Sequence, residues 1–137
     1  MNKNLLPGFI ASIAIFVVGF LISIIFITVF PSLKAEYENI AIFRSYNDPL
    51  MYLYYFHPLV LGYILVWAWN TLKPILTGNL INRSVKFTMI YWIVAIIPGM
   101  MMSISSFQIS ILMVITWTAT AFFQALAASF VYAKMLK

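Results

Sequence analysis

Three long stretches of this chain carry no charged residue, and they limit its fold more than any other feature of the sequence. They are residues 4–33, 49–72 and 87–133, which contain 30, 24 and 47 residues. A helix needs about 20 apolar residues to cross the hydrocarbon core of a bilayer, where a charge is costly. The first two stretches therefore each predict one membrane-spanning helix.

The third stretch is too long for a single crossing. As one helix it would extend about 70 Å, more than twice the thickness of the hydrocarbon core. The polar residues between Ser103 and Gln108 favour a reversal there, which gives a third and a fourth span. Proline removes a backbone hydrogen bond from a helix, so Pro98 predicts a kink in the third span and Pro58 a kink in the second.

These patterns predict an all-α fold, an integral membrane four-helix transmembrane bundle that occupies residues 1–137 as a single domain. The apolar residues are continuous rather than alternating, which excludes the lipid-facing strands of a barrel. Composition agrees, because 64% of the residues are hydrophobic and only 8% are charged, whereas soluble domains are about a quarter charged. The predicted spans are about 7–30, 49–72, 85–102 and 109–133, with an outer loop at 31–48 and an inner loop at 73–84.

The basic residues are divided unevenly between the two sides of this bundle. The outer loop contains Lys34 and Arg44, whereas the termini and the inner loop contain Lys3, Lys73, Arg83, Lys86, Lys134 and Lys137. The positive-inside rule then predicts a multi-pass protein of the cell (plasma) membrane with both termini cytoplasmic. Because the cations are scattered singly, we expect no nucleic acid partner.

The outer loop has two possible structures. Leu33, Tyr37 and Ile40 recur at helical spacing, which favours a short helix on the membrane surface, and an irregular loop is the alternative. Glu36 and Glu38 are interpreted as solvated surface residues rather than as an acid/base pair.

Small residues mark the predicted contacts between helices, because membrane helices associate where small side chains let backbones approach. The fourth span has such residues at every fourth position: Ala121, Ala125, Ser129 and Ala133. The first span offers Gly19 and Ser23 at the same spacing. We expect packing within the chain, with an oligomer interface as the alternative.

The candidate intramembrane polar site consists of His57, Tyr54 and Gln124. His57 is the only histidine, and an ionisable side chain within a span is a functional hypothesis by default. Three interpretations remain: a structural histidine hydrogen-bonded near the outer interface, a proton, ligand or quinone site, and a metal or haem ligand. Pro58 leaves the carbonyl of Tyr54 without its helical partner. Gln124 is interpreted as a hydrogen-bonding contact between helices, with a substrate contact as the alternative.

No catalytic or cofactor-binding motif accompanies these residues. The chain has no cysteine, and it has neither a glycine-rich phosphate loop nor a zinc-binding helix motif. We therefore predict no metal, no cofactor and no enzymatic activity. The expected function is that of a non-enzymatic accessory or scaffold subunit, whose partners are the lipid bilayer and other membrane proteins or further copies of itself. The alternative is an oligomeric channel or carrier for a small or apolar substrate.

Overall fold

Regular secondary structure is helical throughout the described part of the chain. The computed structural model describes residues 3–136, and no β-strand occurs in that range. The α-helices are α1 (Leu5–Val29), α2 (Pro31–Tyr37), α3 (Tyr52–Leu72), α4 (Leu80–Tyr91), α5 (Ile97–Ser106) and α6 (Ile111–Met135). Short 3-10 helices, Pro49–Met51 and Lys73–Ile75, flank α3, and a π-helical segment, Trp92–Ile96, joins α4 to α5. The predicted all-α class is confirmed for these residues.

Four helical segments are long and apolar enough to cross a membrane. They are Leu5–Val29, Pro49–Ile75, Leu80–Ser106 and Ile111–Met135. Many large apolar side chains on them face outward, and exposing such surface to water costs about 25 cal/mol per Å². The predicted number of candidate spans is confirmed, and together they indicate a multi-pass membrane protein.

The third segment is longer than the sequence predicted at both ends. It begins at Leu80 rather than near residue 85, because the side chain of Asn79 accepts a hydrogen bond of 2.9 Å from the backbone N–H of Asn82 and caps the helix. Its other end reaches Ser106, since the hydroxyls of Ser103 and Ser105 donate to carbonyls within α5. The reversal between the last two spans is thereby confined to residues 107–110.

The two prolines have different consequences for their helices. Pro98 follows the π-helical segment, in which the N–H of Ile97 donates to the carbonyl of Trp92. A wider turn of this kind accommodates a residue that has no N–H of its own to donate. Pro58, in contrast, is buried within a helix that continues from Tyr52 to Leu72.

The helix order in space differs from the order in the chain. The most extensive contacts join α1 to α6, α1 to α3, and α4 to α6, while α3 and α6 touch less. Helices α1 and α6 are therefore central, with α3 on one flank and α4 with α5 on the other. This arrangement leaves residues 52–57 at the start of α3 exposed, and α5 buries none of its residues.

An aromatic cluster joins three helices at one end of the bundle. The rings of Trp69, Phe87 and Tyr132 lie 5.2 to 6.4 Å apart, and each side chain is almost fully buried. The Tyr132 hydroxyl donates a hydrogen bond of 2.7 Å to the carbonyl of Gly62. Stacked or edge-to-face aromatic pairs contribute about 0.5–1.5 kcal/mol beyond their buried area, so this cluster fixes α3, α4 and α6 together.

Hydrogen bonds define the two ends of the bundle. At one end, Asn70 donates to Asn4 over 3.0 Å and Arg83 donates to the Leu136 carbonyl over 3.3 Å. Both ends of the described chain and the connection between α3 and α4 therefore lie together. At the opposite end, Glu36 contacts Ser110, which brings the first loop to the start of α6. Lys137, counted among the cations of the first end, lies outside the described residues.

Candidate intramembrane polar site

His57 lies on an exposed surface of α3, about 12 Å along the helix axis from Pro49 at a rise of 1.5 Å per residue. Within residues 3–136 its imidazole has no hydrogen-bond or ion-pair partner. No group of three or more His, Asp or Glu side chains in that range is arranged to hold a metal ion. The structure thus presents His57 as a polar group facing outward from an apolar helix.

Tyr54 shares this exposed surface with His57, because residues three apart on a helix lie on the same face. Its ring stands edge-on to that of Tyr55, with the ring centroids 5.6 Å apart. Both tyrosines are more than half exposed. The N-terminal half of α3 therefore combines aromatic rings with one imidazole on a face without an internal partner.

Gln124 is held elsewhere, at the contact between the two central helices. Its side-chain amide donates a hydrogen bond of 3.2 Å to the Ile15 carbonyl of α1. Gly19 makes room for this amide, since a Cβ at that position would overlap the nitrogen of Gln124. No contact links Gln124 to His57, so the structure does not join the predicted site residues into one site.

The predicted small-residue positions have different surroundings. Ala125, Ser129 and Ala133 are buried, whereas Ala121 is half-buried. Ser129 shares a hydrogen bond of 3.1 Å with Thr88 of α4, so part of this face packs against another helix of the same chain. Ser23 lines a cavity of about 10 Å³ between α1, α2 and α6, which is at the lower limit for holding a single water molecule.

Glu36 is the residue whose role the sequence misjudged. It is half-buried, and its carboxylate accepts two hydrogen bonds from Ser110, one from the backbone N–H at 2.6 Å and one from the hydroxyl at 2.7 Å. The Ser110 hydroxyl in turn accepts from the N–H of Met113 and caps α6. The expectation that Glu36 is merely solvated is therefore wrong, because it binds the positive end of a helix dipole.

An aromatic group beside this carboxylate holds the first loop in place. The indole N–H of Trp117 donates a hydrogen bond of 2.6 Å to the hydroxyl of Tyr37, and the ring of Phe43 stands edge-on to Trp117. Burial raises the pKa of Tyr37 above its usual value, although the hydrogen bond from Trp117 opposes the shift. Both structures considered for this loop occur in it, since residues Pro31–Tyr37 form the short helix α2 and the loop after it is irregular.

The loop ends in a local turn that prepares the start of α3. The backbone N–H of Leu50 donates to Asp48 over 2.8 Å, and the guanidinium of Arg44 donates to the same carboxylate over 2.9 Å. The Leu50 N–H, followed by Arg44, lowers the pKa of Asp48 below its usual value. This carboxylate has a structural role in ending the loop.

The geometry defines a class of protein, a helical membrane protein with four candidate spans and one outward-facing imidazole. Comparison with protein-family models, with curated proteins and with solved structures gave no match. The function is therefore inferred from the residues and their contacts alone.

Proposed function

We propose that this chain is a non-enzymatic accessory subunit of the cell membrane, which packs against another membrane protein through the outer half of α3. The observation that carries the proposal is the exposed imidazole of His57, which has no partner among residues 3–136. A partner helix that hydrogen-bonds this imidazole would complete the surface.

The polar imidazole of His57, rather than the exposed apolar surface around it, favours a protein partner. Lipid tails solvate exposed leucine or phenylalanine side chains well, so such residues do not by themselves favour a protein partner. A polar group in an apolar medium without a hydrogen bond costs about 2–7 kcal/mol. His57 therefore favours contact with a polar side chain of a neighbouring helix, and Tyr54 on the same face would widen that contact.

Photo-crosslinking in the native membrane tests this surface. A benzophenone amino acid replaces Phe56, which lies next to His57 and is 56% exposed. In a control chain it replaces Phe20 on α1, which is 59% exposed. We expect Phe56 to yield a discrete protein adduct that Phe20 does not yield. An adduct of twice the mass of this chain would identify a second copy as the partner. Adducts to lipid only at both positions would contradict the accessory role.

The substitution His57→Leu tests the contribution of the imidazole. A hydrogen bond between membrane helices contributes about 1 kcal/mol, so we expect about fivefold less of the partner to copurify. Val60→Leu, one turn further along the exposed face, is the matched control and should leave the yield unchanged. Equal yields from both variants would remove His57 from the interface.

An oligomeric channel or carrier is the second candidate, and the π-helical segment Trp92–Ile96 favours it, because such segments are frequent at functional sites. Reconstitution into liposomes separates the two candidates. A carrier predicts flux of a small solute that falls in His57→Ala and Gln124→Ala, whereas an accessory subunit predicts no flux from the chain alone.

The proposed orientation has both termini in the cytoplasm. Its support is the distribution of basic residues, six on the side of the termini and two in the first loop. The contacts of Asn70 with Asn4 and of Arg83 with Leu136 are compatible with it, since they keep both ends of the described chain together.

A further inference from the structure

The end of the bundle that holds both chain ends carries only positive side-chain charge. Its described cations are Lys3, Lys73, Arg83, Lys86 and Lys134. All three acidic side chains of the protein, Glu36, Glu38 and Asp48, belong to the first loop at the opposite end. Arg83 and Lys86 therefore have no carboxylate side chain of this protein near them, so an external anion can neutralise their charge.

Arg83 is held rigidly at this end. Its guanidinium lies 5.4 Å from the centre of the Trp69 ring, and its Nη2 donates to the Leu136 carbonyl over 3.3 Å. In the described part of the chain this is the one hydrogen bond of the guanidinium, so further N–H donors remain. A guanidinium that is already fixed loses little entropy when its planar donors bind a phosphate.

Lys86 lies one turn further along α4, on the same face as Arg83. Its Nζ is 3.3 Å from the hydroxyl and 3.4 Å from the carbonyl of Thr77, in the loop that precedes the helix. Like charges at neighbouring positions of one helix face destabilise it. A phosphate group bound at this face, near the end of a candidate span, would offset that repulsion.

The surroundings of this pair favour a lipid over a free ion. Ile75 and Ile81, on either side of the loop, expose 60% and 59% of their surface. Such apolar side chains next to paired cations match the junction between a phospholipid headgroup and its acyl chains. We propose that Arg83 and Lys86 bind the phosphate of an anionic phospholipid, whose acyl chains lie against the apolar surface beside them.

Lipid binding by the intact protein in detergent, counted by native mass spectrometry, tests this site. The probes are phosphatidylglycerol, phosphatidylcholine and inorganic phosphate. Each cation near a charged membrane surface contributes roughly a fivefold gain in affinity, so we expect Arg83→Gln with Lys86→Gln to weaken phosphatidylglycerol binding roughly 30-fold. Lys34→Gln with Arg44→Gln removes the same charge from the opposite end and should leave binding unchanged.

The single variant Lys86→Gln tests binding without disturbing the fold, because Lys86 is exposed. Arg83, in contrast, also packs on Trp69, so its replacement can affect folding. We expect Lys86→Gln to lose about fivefold in affinity and Lys86→Arg to lose little. Equal binding of phosphatidylcholine, or an equal loss in the control pair, would overturn the proposal. Binding of inorganic phosphate as tight as that of the lipid would assign the site to a free anion and would also overturn it.

Discussion

Gly62 is the residue on which the close contact between α1 and α3 depends. A Cβ built at this position would lie 2.8 Å from the Gly8 carbonyl oxygen, 2.9 Å from the backbone nitrogen of Ser12, and closer still to the Ser12 hydroxyl. Two of these atoms belong to the backbone, so they cannot move aside as the end of a flexible side chain can. Any larger residue at position 62 must push the helices apart.

We expect Gly62→Ala to lower the free energy of unfolding by about 1–3 kcal/mol, the usual cost of overpacking. Gly99→Ala is the matched control, because a Cβ at Gly99 meets no atom within 4 Å. Alanine favours a helix over glycine by up to about 1 kcal/mol, so the control should be neutral or stabilising. Unfolding of both variants in mixed detergent micelles is the measurement. Equal stabilities would contradict a tight contact at Gly62.

Two buried hydroxyls on neighbouring helices differ in their partners. The Oγ of Ser84 is fully buried and has no hydrogen-bond partner among the described residues, whereas Ser129 shares a hydrogen bond with Thr88. A buried polar group without a partner is unfavourable by about 1–3 kcal/mol. The two serines should therefore respond to alanine with opposite signs.

Ser84→Ala should raise the free energy of unfolding by about 1 kcal/mol, because it removes an unpaired hydroxyl and adds a better helix former. Ser129→Ala should lower it by a similar amount, since Thr88 then loses its partner. Chemical unfolding of the two variants side by side checks this prediction. Destabilisation by Ser84→Ala would contradict the absence of a hydrogen-bond partner for its hydroxyl.

At the scale of an element, the first loop is attached to α6 through the carboxylate of Glu36. The two hydrogen bonds to Ser110 join residues 74 positions apart in the chain. Sequence could indicate Ser110 as a helix cap, because it precedes an apolar run. It could not indicate Glu36 as its partner, because no local pattern encodes that distance.

We expect Glu36→Gln to destabilise the end of the bundle that holds the first loop by about 1 kcal/mol, since one charged acceptor at a helix N-terminus is lost. Glu38→Gln is the control. Its carboxylate is 58% exposed and lies 4.0 Å from the Lys34 ammonium, and such surface pairs contribute little. Hydrogen exchange at the amide of Ser110 should accelerate in Glu36→Gln alone. Equal exchange in both variants would show that the carboxylate does not hold the loop.

At the scale of the whole molecule, four crossings of the membrane by the candidate spans would place both chain ends on one side. The native chain has no cysteine, so single cysteines can report the side of each loop. We expect Asn82→Cys to react with a membrane-impermeant maleimide only after the cells are opened, and Asn47→Cys to react in intact cells. Both side chains are exposed. The reverse pattern would place the termini outside.

The sequence by itself determined the helical class and the number of candidate spans, because both follow from the length of apolar, charge-free runs along the chain. Helix ends were predicted less well. Long basic side chains such as that of Arg83 extend away from the first turn, so a charged residue can lie inside the start of a helix. Serines such as Ser103 bind helical carbonyls, so polar residues can lie inside its end. The helix of the third segment therefore begins before the span that charge alone predicted.

Only the tertiary structure decided which polar groups meet. Gln124 binds the Ile15 carbonyl, Glu36 binds Ser110 at the start of α6, and His57 remains on the surface. The physical reason is that hydrophobicity and charge act on each segment locally, whereas these contacts depend on how each helix is rotated about its axis and on which helices become neighbours. Small side chains such as Gly62 and Gly19 set those rotations through close packing between segments that are distant in the chain.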